Sequence, residues 1–203
     1  MAKPLAMIRE FHLADWFTLG NAVCGTLAIF SIVEYSQRGS VGLVYLACAL
    51  VFAALVFDVL DGRIARWRQR VSTLGRELDS LADVISFGVA PAVVGFGVGM
   101  QGLWDRIALA FFVACGVSRL ARFNVTFEAM ADEKGKVTHF EGTPIPTSFV
   151  IVLVLTVAAS QGAVGSDLWF GELTIANNVL HPLVLLFVLS GSLMISRIPI
   201  PKP

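Results

Sequence analysis

The sequence predicts an all-α integral membrane protein, with six transmembrane helices and a short interfacial helix at the N-terminus. Three observations carry that expectation. Hydrophobic residues make up 56% of the 203 residues and charged residues only 15%, too little charge to cover a soluble domain of this length. The apolar residues gather in runs of about 20, the length a helix needs to cross about 30 Å of hydrocarbon. The basic residues collect in alternate connecting segments, which is the positive-inside bias of membrane proteins.

Residues 2–14 (AKPLAMIREFHLA) mix Leu5, Ile8 and Phe11 with Lys3, Arg9 and His12, a composition suited to a helix lying on a membrane surface. No compact apolar region follows the basic start and no A-x-A site closes it, so a cleaved leader is not expected there. Spanning helices are predicted over about 16–35, 41–66, 74–97, 103–122, 145–161 and 177–196. No internal repeat, low-complexity tract or linker interrupts them. Residues 1–203 are therefore expected to form one transmembrane domain, an interfacial helix over 1–14 and a six-helix core over 15–203.

Six crossings with the N-terminus inside place 1–15, 63–76, 119–144 and 197–203 in the cytoplasm. These segments hold thirteen of the fifteen Lys and Arg residues, all but Arg38 and Arg106, so the charge bias fixes the orientation. Formal net charge is zero, which by itself names no partner; the bilayer is the expected one, and no nucleic acid is. Cys24, Cys48 and Cys115 lie inside apolar runs without metal-ligand spacing, and read as packing residues. Trp16, Trp67, Trp104 and Trp169 suit an interfacial belt. His12, His139 and His181 have no partner at ligand or triad spacing and are assigned no role.

Chemistry concentrates in residues 58–83, DVLDGRIARWRQRVSTLGRELDSLAD. Asp58 and Asp61 stand three apart on the second helix, and Asp79 and Asp83 four apart on the third, so each pair shares a helix face. The short connection makes the two helices antiparallel neighbours, and both pairs converge at one depth. One acid at the centre of a membrane helix costs on the order of 3 kcal/mol, and like charges add repulsion. A hard divalent cation such as Mg²⁺ or Mn²⁺ relieves both, and four acids suit two ions, the arrangement that clamps attacking and leaving oxygens in phosphoryl displacement. Gly62 and Gly75 leave the helix backbones open to a bulky ligand, and Arg66 offers a planar fork suited to phosphate. A salt-bridge network with Arg63, Arg66, Arg70 and Arg76 would account for one Asp near a helix end, but not for the whole spaced set.

The skeleton Asp58-x2-Asp61-Gly62-x2-Ala65-Arg66-x8-Gly75-x3-Asp79-x3-Asp83 resembles the signature of the CDP-alcohol phosphatidyltransferases at every motif position. The resemblance implies a six-helix core, usually a homodimer, with two divalent metal ions between the second and third helices. It implies transfer of a phosphatidyl-type group from a CDP-linked lipid to an alcohol, with release of CMP. Carried over, Asp58, Asp61 and Asp79 are metal ligands, Asp83 is both metal ligand and general base, and Gly62, Ala65, Arg66 and Gly75 line the CDP site.

Three further stretches, LDSLADVISFGVAP (78–91), SRLARFNV (118–125) and FEGTPIP (140–146), resemble the phosphatidylserine synthase branch; Thr143 stands where that branch usually has Leu. The resemblance covers about residues 15–200. It implies CDP-diacylglycerol as donor, L-serine as acceptor, and a multi-pass protein of the inner membrane with a cytoplasmic active site. Arg119 and Arg122 lie three apart at the cytoplasmic end of the fourth helix; either they meet the serine carboxylate bidentately, or they set topology and snorkel to the lipid surface. Gly142 and Pro144 form at least a rigid start to a helix, and they are candidates to close the acceptor pocket. Thr18 and Asn21 share a helix face with Asp15; capping and inter-helix hydrogen bonds are one reading, and the family-implied grip on the CDP headgroup is the other.

No Ser or Cys with a neighbouring base is visible, which favours direct displacement over a covalent intermediate. The nearest rival is another branch of the family, taking glycerol 3-phosphate, inositol phosphate or an archaeal CDP-ether lipid. A divalent-cation transporter would instead need polar groups along a path through the bilayer, whereas these acids cluster at one side.

Overall fold

A computed structural model describes residues 13–67, 73–131, 139–196 and 199–201. The expected interfacial helix thus lies outside the described residues except for Leu13 and Ala14, which begin the first helix. Four helices follow one another: α1 (Leu13–Arg38), α2 (Val41–Trp67), α3 (Thr73–Val98) and α4 (Leu103–Ala131). Each contains a stretch long and apolar enough to cross a membrane. α4 runs past its expected end because no Gly or Pro intervenes before Ala131. α1 stops at Gly39, whose φ of +67° lets its N–H return to the Tyr35 carbonyl at 2.8 Å.

Two shorter apolar helices complete the bundle: α5 (Phe149–Ser160), led in by a 3-10 turn over Ile145–Ser148, and α6 (Leu185–Ile195), led in by Pro182–Val184. The six predicted spans therefore appear as four full-length helices and two short ones. The sixth also starts later than its apolar pattern predicts. Residues 178–180, read as helix, instead form β3 (Asn178–Leu180), paired antiparallel with β2 (Leu173–Ile175). Ala176 and Asn177 turn the hairpin with φ of 48° and 65°, the left-handed pair that a two-residue hairpin demands. Pro182 disfavours helix in the residue before it. A second antiparallel pair joins β1 (His139–Glu141) to β4 (Pro199–Pro201).

α1 packs along both α2 and α3. It approaches α3 closely at Gly25, where any Cβ would overlap the backbone of Ser86. α3 is π-helical over Val84–Val89. Pro91 has no N–H to return to the carbonyl of Phe87, and the Ser148 hydroxyl donates to that carbonyl instead, at 2.7 Å. Phe87, Ile32, Leu155 and Val94 belong to one buried apolar cluster, together with Phe112 and Phe187, which meet edge-on at 5.2 Å. Phe30, Phe52, Val150 and Leu185 are exposed on the outside of the helices. All three cysteines are free, Cys115 buried and Cys24 and Cys48 partly so.

Candidate active site

The acids sit where the end of α2 meets the start of α3. Asp58 and Asp61 lie a turn apart on α2, and Asp79 and Asp83 a turn apart on α3. Asp58, Asp61 and Asp79 each bring a carboxylate oxygen within 4.8 Å of the others. Asp83 is not part of that trio. It is 6% exposed, as is Asp61, and it stands just before the π-helical segment.

The face of α1 carrying Asp15, Thr18 and Asn21 is buried against these acids. Thr18 Oγ1 donates to Asp61 Oδ2 at 2.8 Å, and Asn21 Nδ2 donates to Asp83 Oδ1 at 3.1 Å. The Ser86 hydroxyl donates to the Asn21 backbone carbonyl at 2.9 Å, which ties α1 to α3 one turn beyond the acid. Of the two readings the sequence leaves for Thr18 and Asn21, the structure places both in inter-helix hydrogen bonds, with the acids themselves as partners.

The residues fit a divalent ion. The trio offers only carboxylate oxygens, the donors hard cations favour. Asp79 Oδ1 is buried and has no hydrogen-bond partner, a costly state for a carboxylate unless a cation satisfies it. Next to Asp61 in the chain, a Cβ on Gly62 would meet nothing within 4 Å, so the backbone there borders open space. Gly75 is half-buried at the start of α3. Ala65 and Arg66 continue α2, and their side chains lie outside the described residues.

Arg119 is half-buried on α4, and its Nε is buried without a hydrogen-bond partner. Arg122, a turn further on, is exposed. Gly142 has a φ of +74°, and a Cβ there would run into the carbonyls of Met194 and Leu193 at the end of α6. The next residue, Thr143, donates its N–H to the Leu193 carbonyl at 3.3 Å. This loop thus caps α6, Pro144 is exposed, and buried Ile145 packs towards Gly116 of α4, a turn before Arg119.

Three polar side chains escape a reading of spacing alone. Asn124 of SRLARFNV donates to Glu77 Oε1 at 3.2 Å and to Ser80 Oγ at 3.1 Å, fastening α4 beside Asp79. Ser148 completes the π-helical ladder of α3. His181, read from sequence as partnerless, is buried against Asp105, its Nδ1 2.7 Å from Asp105 Oδ2. All three join residues at least 44 apart in the chain, where no helical or strand period connects them.

The family profile for CDP-alcohol phosphatidyltransferase matches residues 11–194. The CDP-diacylglycerol–serine O-phosphatidyltransferase of Saccharomyces cerevisiae is 41% identical over 203 residues, covering 98% of this chain and 73% of that protein. The protein of the same name from Bacillus subtilis is 34% identical over 148 residues, covering 71% of this chain and 75% of its own. An archaetidylserine synthase from Methanothermobacter thermautotrophicus is 36% identical over 143 residues, covering 69% of this chain and 55% of its own.

Proposed function

This chain belongs to the CDP-alcohol phosphatidyltransferase family, and from that premise we propose that it is a membrane-bound CDP-diacylglycerol–serine O-phosphatidyltransferase. It transfers a phosphatidyl group from CDP-diacylglycerol to the hydroxyl of L-serine and releases CMP. The observation that carries the chemistry is the convergence of Asp58, Asp61 and Asp79, of which Asp79 keeps a buried oxygen without a hydrogen-bond partner. The relatives named for serine transfer carry the choice of acceptor.

In this reading Asp58, Asp61, Asp79 and Asp83 hold two divalent ions, Mg²⁺ or Mn²⁺. Bound there, the ions supply charge neutralisation to the donor's pyrophosphate and to departing CMP. Asp83 is the general base. Asn21 occupies Asp83 Oδ1, which leaves Oδ2 to take the proton from the serine hydroxyl. The serine oxygen then bonds to the lipid-side phosphorus as the bond from that phosphorus to the bridging oxygen breaks, and CMP carries the electron pair away. Gly62 and Gly75 let the nucleotide approach the helix backbones, Ala65 and Arg66 line the same site, and Thr18 and Asn21 border it. Arg119 and Arg122 grip the serine carboxylate, and the Gly142–Pro144 turn closes the acceptor side.

The whole chain acts as one transmembrane catalytic domain with six crossings, α5 and α6 being the short ones. It is a homodimer of the inner membrane, with its N-terminus and active site in the cytoplasm, the orientation the basic residues favour. The archaetidylserine synthase among its relatives supports a second reading in which the donor lipid is ether-linked.

CMP release is the test, measured on the purified protein with serine, glycerol 3-phosphate or inositol phosphate offered separately. It is run with CDP-diacylglycerol and again with its ether-lipid counterpart. Serine alone should support release; release with glycerol 3-phosphate and none with serine overturns the acceptor.

A further inference from the structure

A cavity of about 560 Å³ opens at the end of the bundle away from the carboxylates, among the end of α1, the start of α4 and the β2–β3 hairpin. Thr18 marks the carboxylate end of α1 and Tyr35 lines the cavity; at 1.5 Å per residue they stand about 25 Å apart along the helix. Glu172 and His181 also line the cavity. They immediately flank the hairpin, one step beyond the Leu173–Leu180 pair, so they face each other across its base.

The tautomer of His181 follows from Asp105. That carboxylate is 0% exposed and accepts the backbone N–H of His181 at 2.8 Å and that of Gly102 at 3.0 Å. With Asp105 Oδ2 only 2.7 Å from Nδ1, the ring donates from Nδ1, and in the neutral ring Nε2 carries the lone pair. Nε2 is buried on a residue 3% exposed and has no hydrogen-bond partner. Glu172 Oε1 is 3.4 Å from it, but off the line a ring N–H would need. In that tautomer Nε2 and Glu172 Oε1 are two acceptors side by side.

We propose that His181 Nε2 and Glu172 form a binding site for a divalent transition-metal ion of zinc's class. Zinc bonds to imidazole nitrogen and carboxylate oxygen are about 2.0–2.2 Å long, so ligand atoms 3.4 Å apart subtend about 110° at a shared ion, the tetrahedral angle. An off-line carboxylate is what a shared ion produces, because the ion sits away from the N···O vector. Asp105 supplies the second-sphere hydrogen bond that metal-bound histidines almost always make. With two protein ligands, two of the four tetrahedral positions are left for water from the cavity. The ion closes the base of the hairpin and fastens it to α4. The site is independent of the acceptor and donor proposed above.

Zinc binding by titration calorimetry tests this, on the detergent-solubilised full chain with millimolar Mg²⁺ present to occupy the carboxylate cluster. The parent should bind one more Zn²⁺ than Glu172→Gln or His181→Gln, and Asp105→Asn should weaken that binding about 10- to 100-fold. Glu172 is 38% exposed, so its variant reports even if His181→Gln does not fold. Equal zinc stoichiometry in the parent and the Glu172 variant overturns the proposal. So does a histidine ring nitrogen spectrum showing His181 doubly protonated in the parent and unmoved by Zn²⁺, which would make the trio a shared-proton clamp.

Discussion

Asn21 on α1 donates its side-chain amide to Asp83 on α3, 62 residues away, at 3.1 Å, and Asn21 is 0% exposed. The bond holds Asp83 Oδ1 and so orients the whole carboxylate. A hydrogen bond to a charged group is worth about 1.5–3 kcal/mol. If Asn21 orients the base, Asn21→Ala lowers kcat about 10- to 100-fold by that conversion, with the serine KM little changed. An unchanged kcat would leave Asn21 as a packing residue.

Asp83 and Asp58 should separate by function. Asp83→Asn is expected to cost 10²–10⁴-fold in turnover, the usual worth of a general base, while CDP-diacylglycerol still binds. Asp58→Asn is expected to lose donor binding and metal together, because Asp58 belongs to the converging trio. Binding of labelled donor, measured beside CMP release, distinguishes the two.

Removal of metal tests the orphaned oxygen of Asp79 directly. Excess EDTA should abolish CMP release, and Mg²⁺ or Mn²⁺ should restore it. Ca²⁺ should bind without restoring normal rates, since its longer, looser oxygen coordination misplaces the phosphates. Full turnover in EDTA removes metals from the reaction.

Arg119, whose Nε is buried and unbonded, is proposed above to grip the serine carboxylate. Lys keeps the charge but loses the planar fork, so Arg119→Lys should raise the serine KM about 10- to 100-fold and leave donor affinity near the parent value. Ethanolamine, which lacks the carboxylate, should be a poor acceptor. Kinetics with both acceptors decide it; a parent-like serine KM in the Lys variant assigns Arg119 to topology instead.

Gly142 should prove structural in its own right. A Cβ there meets both a left-handed backbone and the carbonyls ending α6, so Gly142→Ala should destabilise by about 1–3 kcal/mol. Thermal unfolding in detergent reads this as a lowered Tm, whereas Pro144→Ala, at an exposed position, should leave Tm near the parent value.

The sequence by itself determined the membrane class, four of the helices and the pairing of acids by turn, because apolar run length and helical period depend only on near neighbours. It also carried the family signature, since Asp58 through Asp83 fall within 26 consecutive residues. Tertiary structure alone decided that Thr18 and Asn21 meet Asp61 and Asp83. Helical spacing puts Asp15, Thr18 and Asn21 on one face of α1, but it does not say which acids that face meets across the close approach at Gly25. The same holds for Ser148 on the carbonyl freed by Pro91, for Asn124 beside Ser80, and for His181 against Asp105, 76 residues away. Residues 178–180 read as helix because Val179 and Leu180 are apolar. They became strand because Ala176 and Asn177 adopt left-handed turns and Pro182 disfavours helix at His181, so that local backbone geometry outweighed the hydrophobic pattern.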